Sequence, residues 1–180
     1  ANEALVSLDL SPIPSECVEL SEAYRPRPLD PIFKERGADC SAFIDEHGYG
    51  PHGQELLKKF DELGECSPLL LSHNDLGAAC PRWKLLNLNE RKNFWINAFA
   101  AIAWAESTCK ESAKAPGVDG TALGLLQLNA SRSNRSWRGP DCDVGEILPA
   151  KNNLQCGVDI MNELMKEKEG IYKSRGLFGK

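Results

Sequence analysis

The 180-residue chain has no long hydrophobic run. Its longest, Ala98 to Ala105, is eight residues, well short of the roughly 18–20 that a membrane-spanning helix needs. Clustered positive charge is also missing. The chain carries 21 Lys and Arg against 26 Asp and Glu, a net charge of −5. An acidic chain without a basic patch is poorly suited to nucleic acid or an anionic membrane, and suits a neutral or cationic partner. No CxxC pair and no Cys/His zinc spacing occur, so a structural metal site is not expected. Alternating apolar and polar stretches are few, and no internal repeat is present, so the expected fold class is mainly α.

Cysteine, by contrast, is plentiful: seven, at positions 17, 40, 66, 80, 109, 142 and 156. In the absence of metal spacing, that number points to an oxidising compartment and several disulfides. The odd count leaves one free thiol or a partner outside the chain. Cys142–Cys156 is the first expected pair, because the two are close in sequence and flank a loop. Cys66–Cys80 is a second. The chain begins at Ala1 without a signal peptide, which reads as the mature or trimmed form of an exported protein, secreted or periplasmic.

Residues 1–50 are rich in Pro, Ser and acidic side chains. Pro12, Pro14, Pro26, Pro28 and Pro31 forbid long helices there. This segment is expected to be an irregular extension pinned by Cys17 and Cys40, followed by a catalytic domain over 51–180. A first helix is predicted over 53–63, with Leu56, Leu57, Phe60 and Leu63 on one face. The stretch NERKNFWINAFAAIAWAES predicts a central core helix: from Phe94 to Ala105 only Asn97 is polar, and the charged residues 90–92 mark its exposed start. Residues 107–123 read as a turn-rich loop. GLLQLNASRS resumes order, and 129–150 read as another loop anchored by Trp137 and Cys142. A last helix is predicted over 152–168.

Glu106 stands out because it follows Trp104 and Ala105 at the end of the most apolar helix. Burial there would disfavour its charged form. The partial negative charge of a helix C-terminus pushes the same way. A carboxyl held protonated is what a general acid requires. The bland alternative is that Glu106 is merely the first exposed residue after a core helix.

Three segments in order, WAES at 104–107, GLLQL at 124–128 and NNLQCG at 152–157, resemble the lysozyme-like superfamily of soluble lytic transglycosylases and goose-type lysozymes. Leu126 stands where that family usually has Met. The resemblance covers about residues 90–170. It implies a helical, lysozyme-like (SLT-type) domain with a cleft for glycan, and cleavage of the β-1,4 bond between N-acetylmuramic acid and N-acetylglucosamine in peptidoglycan. It implies Glu106 as general acid, with Ser107, Gly124, Leu126, Gln127 and Asn129 along the substrate. Asp119 corresponds to a goose-type Asp that helps position water, while the second such Asp is replaced by Asn129. Keeping Asp119 leans the reading toward hydrolysis over transglycosylation, which needs no water. The family's late Ala-Tyr-Asn-Ala-Gly segment is absent and Tyr172 has the wrong context, so the residue that orients Glu106 is not given by the resemblance.

The expected partner is therefore peptidoglycan, met by a monomer without cofactor. The acidity of the chain further suggests a preference for de-N-acetylated strands, whose free amines are cationic. A rival reading is an inactive glycan-binding module of the same fold, which the retained Glu106 opposes. Three weaker readings concern other chemistry. His47 and His52 could mark a metal site but read better as turn residues. DCDVGE at 141–146 is half of a calcium-loop pattern. Cys109 as a nucleophile would need a histidine partner, and a disulfide near the active site is the better expectation.

Overall fold

The computed structural model describes residues 39–71, 76, 80–117, 120–129, 142 and 147–168. Among the described residues three α-helices carry the fold: α1 (Pro51–Leu63), α2 (Leu88–Ser107) and α3 (Ala150–Lys168). A two-stranded hairpin, β1 (Ile44–Asp45) and β2 (Gly48–Tyr49), precedes α1. A three-stranded antiparallel sheet lies between α2 and α3 in sequence: β3 (Lys114–Gly117), β4 (Gly120–Leu123) and β5 (Leu128–Asn129). The mainly α, lysozyme-like expectation holds, but 107–123 is not simply loop. Lys114 pairs with Leu123 and Gly117 with Gly120. The hairpin escaped sequence reading because β3 is exposed along its whole length, so it carries no apolar alternation.

Each helix starts for a local reason. Pro51 sits in the first turn of α1, where its missing N–H costs nothing. Asn87 opens α2 with a capping box: its Oδ1 accepts the Glu90 amide at 2.9 Å, and the Glu90 carboxylate accepts the Asn87 amide at 2.9 Å. The main core joins Leu56 and Phe60 of α1, Trp95, Phe99 and Ala103 of α2, and Leu154, Val158 and Met165 of α3. Trp83, Phe94, Trp95, Phe99 and Phe60 form a chain of tilted and edge-to-face rings with centroids 5.1–6.5 Å apart. The segment around Leu69 lies across these rings, its carbonyls accepting the indole N–H groups of Trp95 at 2.7 Å and Trp83 at 3.1 Å. Between α1 and α3, Lys59 and Asp159 form an ion pair at 2.7 Å with both side chains buried. Cys40, Phe43 and Ile44, upstream of α1, are also buried in this core.

The predicted central helix is real but its two ends are reversed. Its charged start is buried: Arg91, Lys92 and Asn93 are each less than a tenth exposed. Its apolar end opens to solvent, with Ala105 and Glu106 exposed and Trp104 half-buried. Alanine is the strongest helix former and is at home on a surface, so an Ala-rich run need not be core. Long basic side chains can be buried where their charged ends find partners. The Arg91 guanidinium lies 5.6 Å from the Trp83 ring and donates to the Leu70 carbonyl at 3.2 Å. Lys92 pairs with Asp61 at 2.6 Å.

Cys142–Cys156 is bridged as expected, and a second bridge joins Cys40 to Cys109 across 69 residues. Cys66 is also disulfide-bonded, and Cys80 is free, so the expected Cys66–Cys80 pair is corrected. Proximity in sequence misled here.

Candidate active site

Glu106 is the penultimate residue of α2. Phe99, Ala103 and Glu106 follow the i, i+4, i+7 spacing, so they share one stripe of the helix. Phe99 and Ala103 are buried along that stripe, and Glu106 emerges where the packing ends. The expectation of a buried carboxyl is corrected: Glu106 is exposed. Ser107, one residue on, is turned inward, its hydroxyl donating to the Ala103 carbonyl at 2.8 Å.

The chain then leaves the helix through two consecutive left-handed residues that are not glycine, Thr108 (φ 53°) and Cys109 (φ 59°). Such residues cost roughly 1–3 kcal/mol each and persist only where the surroundings hold them. Here the Thr108 and Cys109 amides fold back onto the Trp104 and Ala103 carbonyls at 3.0 and 3.1 Å. The Cys109 sulfur is bonded to Cys40. Cys109 is therefore not a thiol nucleophile, and a disulfide near Glu106 is what the structure has.

The GLLQL segment forms the turn between β4 and β5, and it is tied to the loop after Glu106. The Ala113 carbonyl accepts both the Gly124 amide at 2.9 Å and the Gln127 side-chain amide at 3.2 Å. Gln127 Nε2 also donates to the Gly124 carbonyl at 2.8 Å. Both partners are carbonyls, so the NH2 end of Gln127 must face them, which leaves Oε1 as the acceptor these two contacts do not use. Gln127 is left-handed (φ 48°) without being glycine, a third such position in this neighbourhood. Leu125 and Leu126 are buried, while Gln127 and Asn129 are half-buried.

The third motif supports the second. Asn153 of α3 is fully buried, and its side chain is spent on the turn. Its Oδ1 accepts the Leu126 amide at 2.8 Å; its Nδ2 donates to the Leu123 and Ile147 carbonyls at 2.9 and 3.0 Å. Gly124 has φ 74°, and a Cβ there would strike the Asn153 amide. A Cβ at Gly157 would collide with Leu126 and meet Phe99 of α2 at 3.4 Å. Helix α3, the turn and the stripe leading to Glu106 thus pack as one unit. The Cys142–Cys156 bridge, with Ile147, braces the same turn through Leu123 and Leu128.

Asp119 lies outside the described residues, as do Tyr172 and all of DCDVGE except Cys142. His47 is exposed and 3.5 Å from Glu46. His52 is not a turn residue. It sits in the first turn of α1, buried, with Nε2 3.2 Å from the Glu111 carboxylate and its ring edge-to-face with Phe43. The two histidines do not converge. Among the described residues no group of three or more His, Cys, Asp or Glu could hold a metal ion, and no helix is long and apolar enough to cross a membrane. Sequence reading passed over Asn153 as a site-building residue and the His52–Glu111 pair altogether. Asn153 had a signal, its place in the NNLQCG segment that carries the family resemblance. The pair had none, because 59 residues separate its members.

Comparison with known proteins agrees with this arrangement. Neither the curated proteins nor the solved structures give a match. The family model for the transglycosylase SLT domain matches residues 86–176, which takes in α2, the sheet, the turn and α3. Because that match covers half of the sequence, the chain belongs to the transglycosylase SLT family, a lysozyme-like group that acts on peptidoglycan glycan strands outside the cytoplasm.

Proposed function

We propose that the chain cleaves the β-1,4 bond between N-acetylmuramic acid and N-acetylglucosamine, with Glu106 as the general acid. The observation that carries this is the placement of Glu106: it is the exposed end of a stripe whose buried part packs on the unit formed by the turn and α3. In the first step Glu106 gives its proton to the glycosidic oxygen, and the N-acetylglucosamine leaves with a free 4-hydroxyl. Positive charge develops at C1 of the muramyl sugar, next to the new carboxylate. The protein leaves Glu106 exposed, open to a bound glycan. Gln127, whose Oε1 is not used by its two carbonyl contacts, and Asn129 are the side chains proposed to meet sugar N–H and O–H groups. Ser107 and Leu126 act from below, as packing.

The muramyl cation has two fates. Water attacks it in a hydrolase, and Asp119 is the residue that would hold that water. The sugar's own 6-hydroxyl attacks in a transglycosylase, with the Glu106 carboxylate taking the proton, and the family match supports this second reading. Digestion of purified peptidoglycan by the protein and by Glu106→Gln, with released muropeptides weighed, separates them. Reducing ends mean hydrolysis; 1,6-anhydro ends, lighter by one water, mean transfer. A Glu106→Gln variant as active as the parent would overturn the assignment of the acid.

A preference for de-N-acetylated strands is the finer proposal, supported by the net charge of −5. Near the acid the charges balance, Glu106 and Glu111 against Lys110 and Lys114, all exposed. Selectivity would therefore come from the long-range field, and should fade with added salt. Equal turnover of acetylated and deacetylated walls at low salt would sink it.

A further inference from the structure

The segment that ends α2 is fastened to the region before and at the start of α1 by two separate ties. One is the Cys40–Cys109 bridge. The other is the contact between His52 Nε2 and the Glu111 carboxylate at 3.2 Å. Both lead back to one compact piece of chain. The Phe43 amide donates to the Cys40 carbonyl at 3.0 Å, and the His52 amide to the Ala42 carbonyl at 2.8 Å. Phe43 is fully buried, and its ring centroid lies 5.1 Å from that of His52. Cys40, Phe43 and His52 therefore form a fixed anchor. Across from it lie Cys109 and Glu111, three and five residues after Glu106.

We propose that His52 is a positioning residue for Glu106: through Glu111 it holds the strained turn in which the acid-bearing helix ends. This rests on the assignment of Glu106 as general acid. The argument is one of constraint. Thr108 and Cys109 occupy left-handed backbone that neither residue prefers. Beyond the bridge the chain is next held at Ala113, whose carbonyl accepts the Gly124 and Gln127 amides, and Glu111 lies between these two holds. A further hold at Glu111 fixes both sides of Lys110, and with them the last turn of α2. Burial lowers the pKa of His52 against the pull of the Glu111 carboxylate. The ring whose Nε2 lies 3.2 Å from the Glu111 carboxylate is then uncharged near neutral pH. The ring itself is fixed by burial and by its edge-to-face packing on Phe43, so the contact offers Glu111 one defined position. Misplacing a catalytic group by about 1 Å can cost as much as a hundredfold in rate, so a modest loosening is readable in kcat.

The test uses the full chain acting on soluble, uncrosslinked glycan strands. Glu111→Ala changes an exposed residue and should leave the fold intact. It is expected to lower kcat about tenfold with KM changed less than about twofold. His52→Ala should do the same, and the double variant should be no worse than either single one, because both remove the same hold. His52→Gln keeps an N–H donor and should recover most of the rate. Wild-type kcat in Glu111→Ala, or losses that multiply in the double variant, would overturn the proposal. Glu106→Gln run alongside keeps the two questions apart. If it abolishes turnover while Glu111→Ala does not change it, only the positioning role falls. If Glu106→Gln is fully active, the acid itself was misassigned.

Discussion

The two ends of α2 differ in a way opposite to their composition. The end with Arg91 and Lys92 is buried, and the end with Ala105 and Glu106 is open. The buried end is built for support. Its charges are matched one by one, Lys92 to Asp61 and Arg91 to a carbonyl and an indole face. The open end has its carboxylate presented to solvent beside a turn that other residues hold. Polarity tells a reader what a side chain tolerates, and partners decide where it goes. A cation with a carboxylate and a ring to lie against can be interior, and an alanine with nothing to cover it can be surface.

The sharpest way to break this comparison is to remove the charge at the open end. Glu106→Gln should lower muropeptide release by roughly 10²- to 10⁴-fold, the range of a general acid. It should leave thermal unfolding nearly unchanged, since an exposed side chain is replaced. If the variant unfolded early, Glu106 would be serving the fold.

A second prediction concerns the turn beside the open end. Asn153→Ala strands two carbonyls and one amide that Asn153 now satisfies. A loss of about 3 kcal/mol is expected, with buried polar groups left unpaired. Urea unfolding measures it. Activity of the folded fraction should fall too, because Gln127 loses its support.

At the buried end, Arg91→Ala should cost about 1–3 kcal/mol by leaving the Leu70 carbonyl unpaired and the Trp83 ring uncovered. The folded fraction should keep its turnover rate. A rate change there would mean that the two ends of α2 are not independent.

The smallest effect expected is one of pH. His52 has its pKa lowered from the usual 6.5 by burial, with Glu111 opposing. The unfolded chain then binds this proton more readily than the folded one, so stability falls as pH drops from about 6.5 toward the folded value. Urea midpoints at pH 7.5 and 5 should show the decline, and His52→Gln should remove that part of it.

Much of the framework around the candidate site was legible from the sequence, for identifiable reasons. The three motifs announced the helix end, the turn and the supporting helix, because each depends on residues close in sequence. Cys142–Cys156 was readable on the same ground. Long-range pairings were not. Cys40–Cys109 and His52–Glu111 join residues 69 and 59 apart, and no local pattern encodes such a meeting. Exposure at Glu106 was misjudged because hydropathy was taken for burial. The β3–β4 hairpin was missed because β3, exposed along its whole length, leaves no alternation to read.

The Cys40–Cys109 bridge has a consequence for where this protein can be cut. The matched family segment begins at residue 86, yet the residue that fastens Cys109 stands at 40. Phe43, Leu56 and Phe60, all fully buried, also lie before that boundary. A fragment trimmed to the family's limits would have a loose strap three residues beyond Glu106 and a hole where three large side chains belong. Homology marks the portable part of this molecule at 86, and physics puts it at 40 or earlier. Anyone grafting the domain into a fusion, or comparing it with shorter relatives, should carry that upstream stretch along as part of the enzyme.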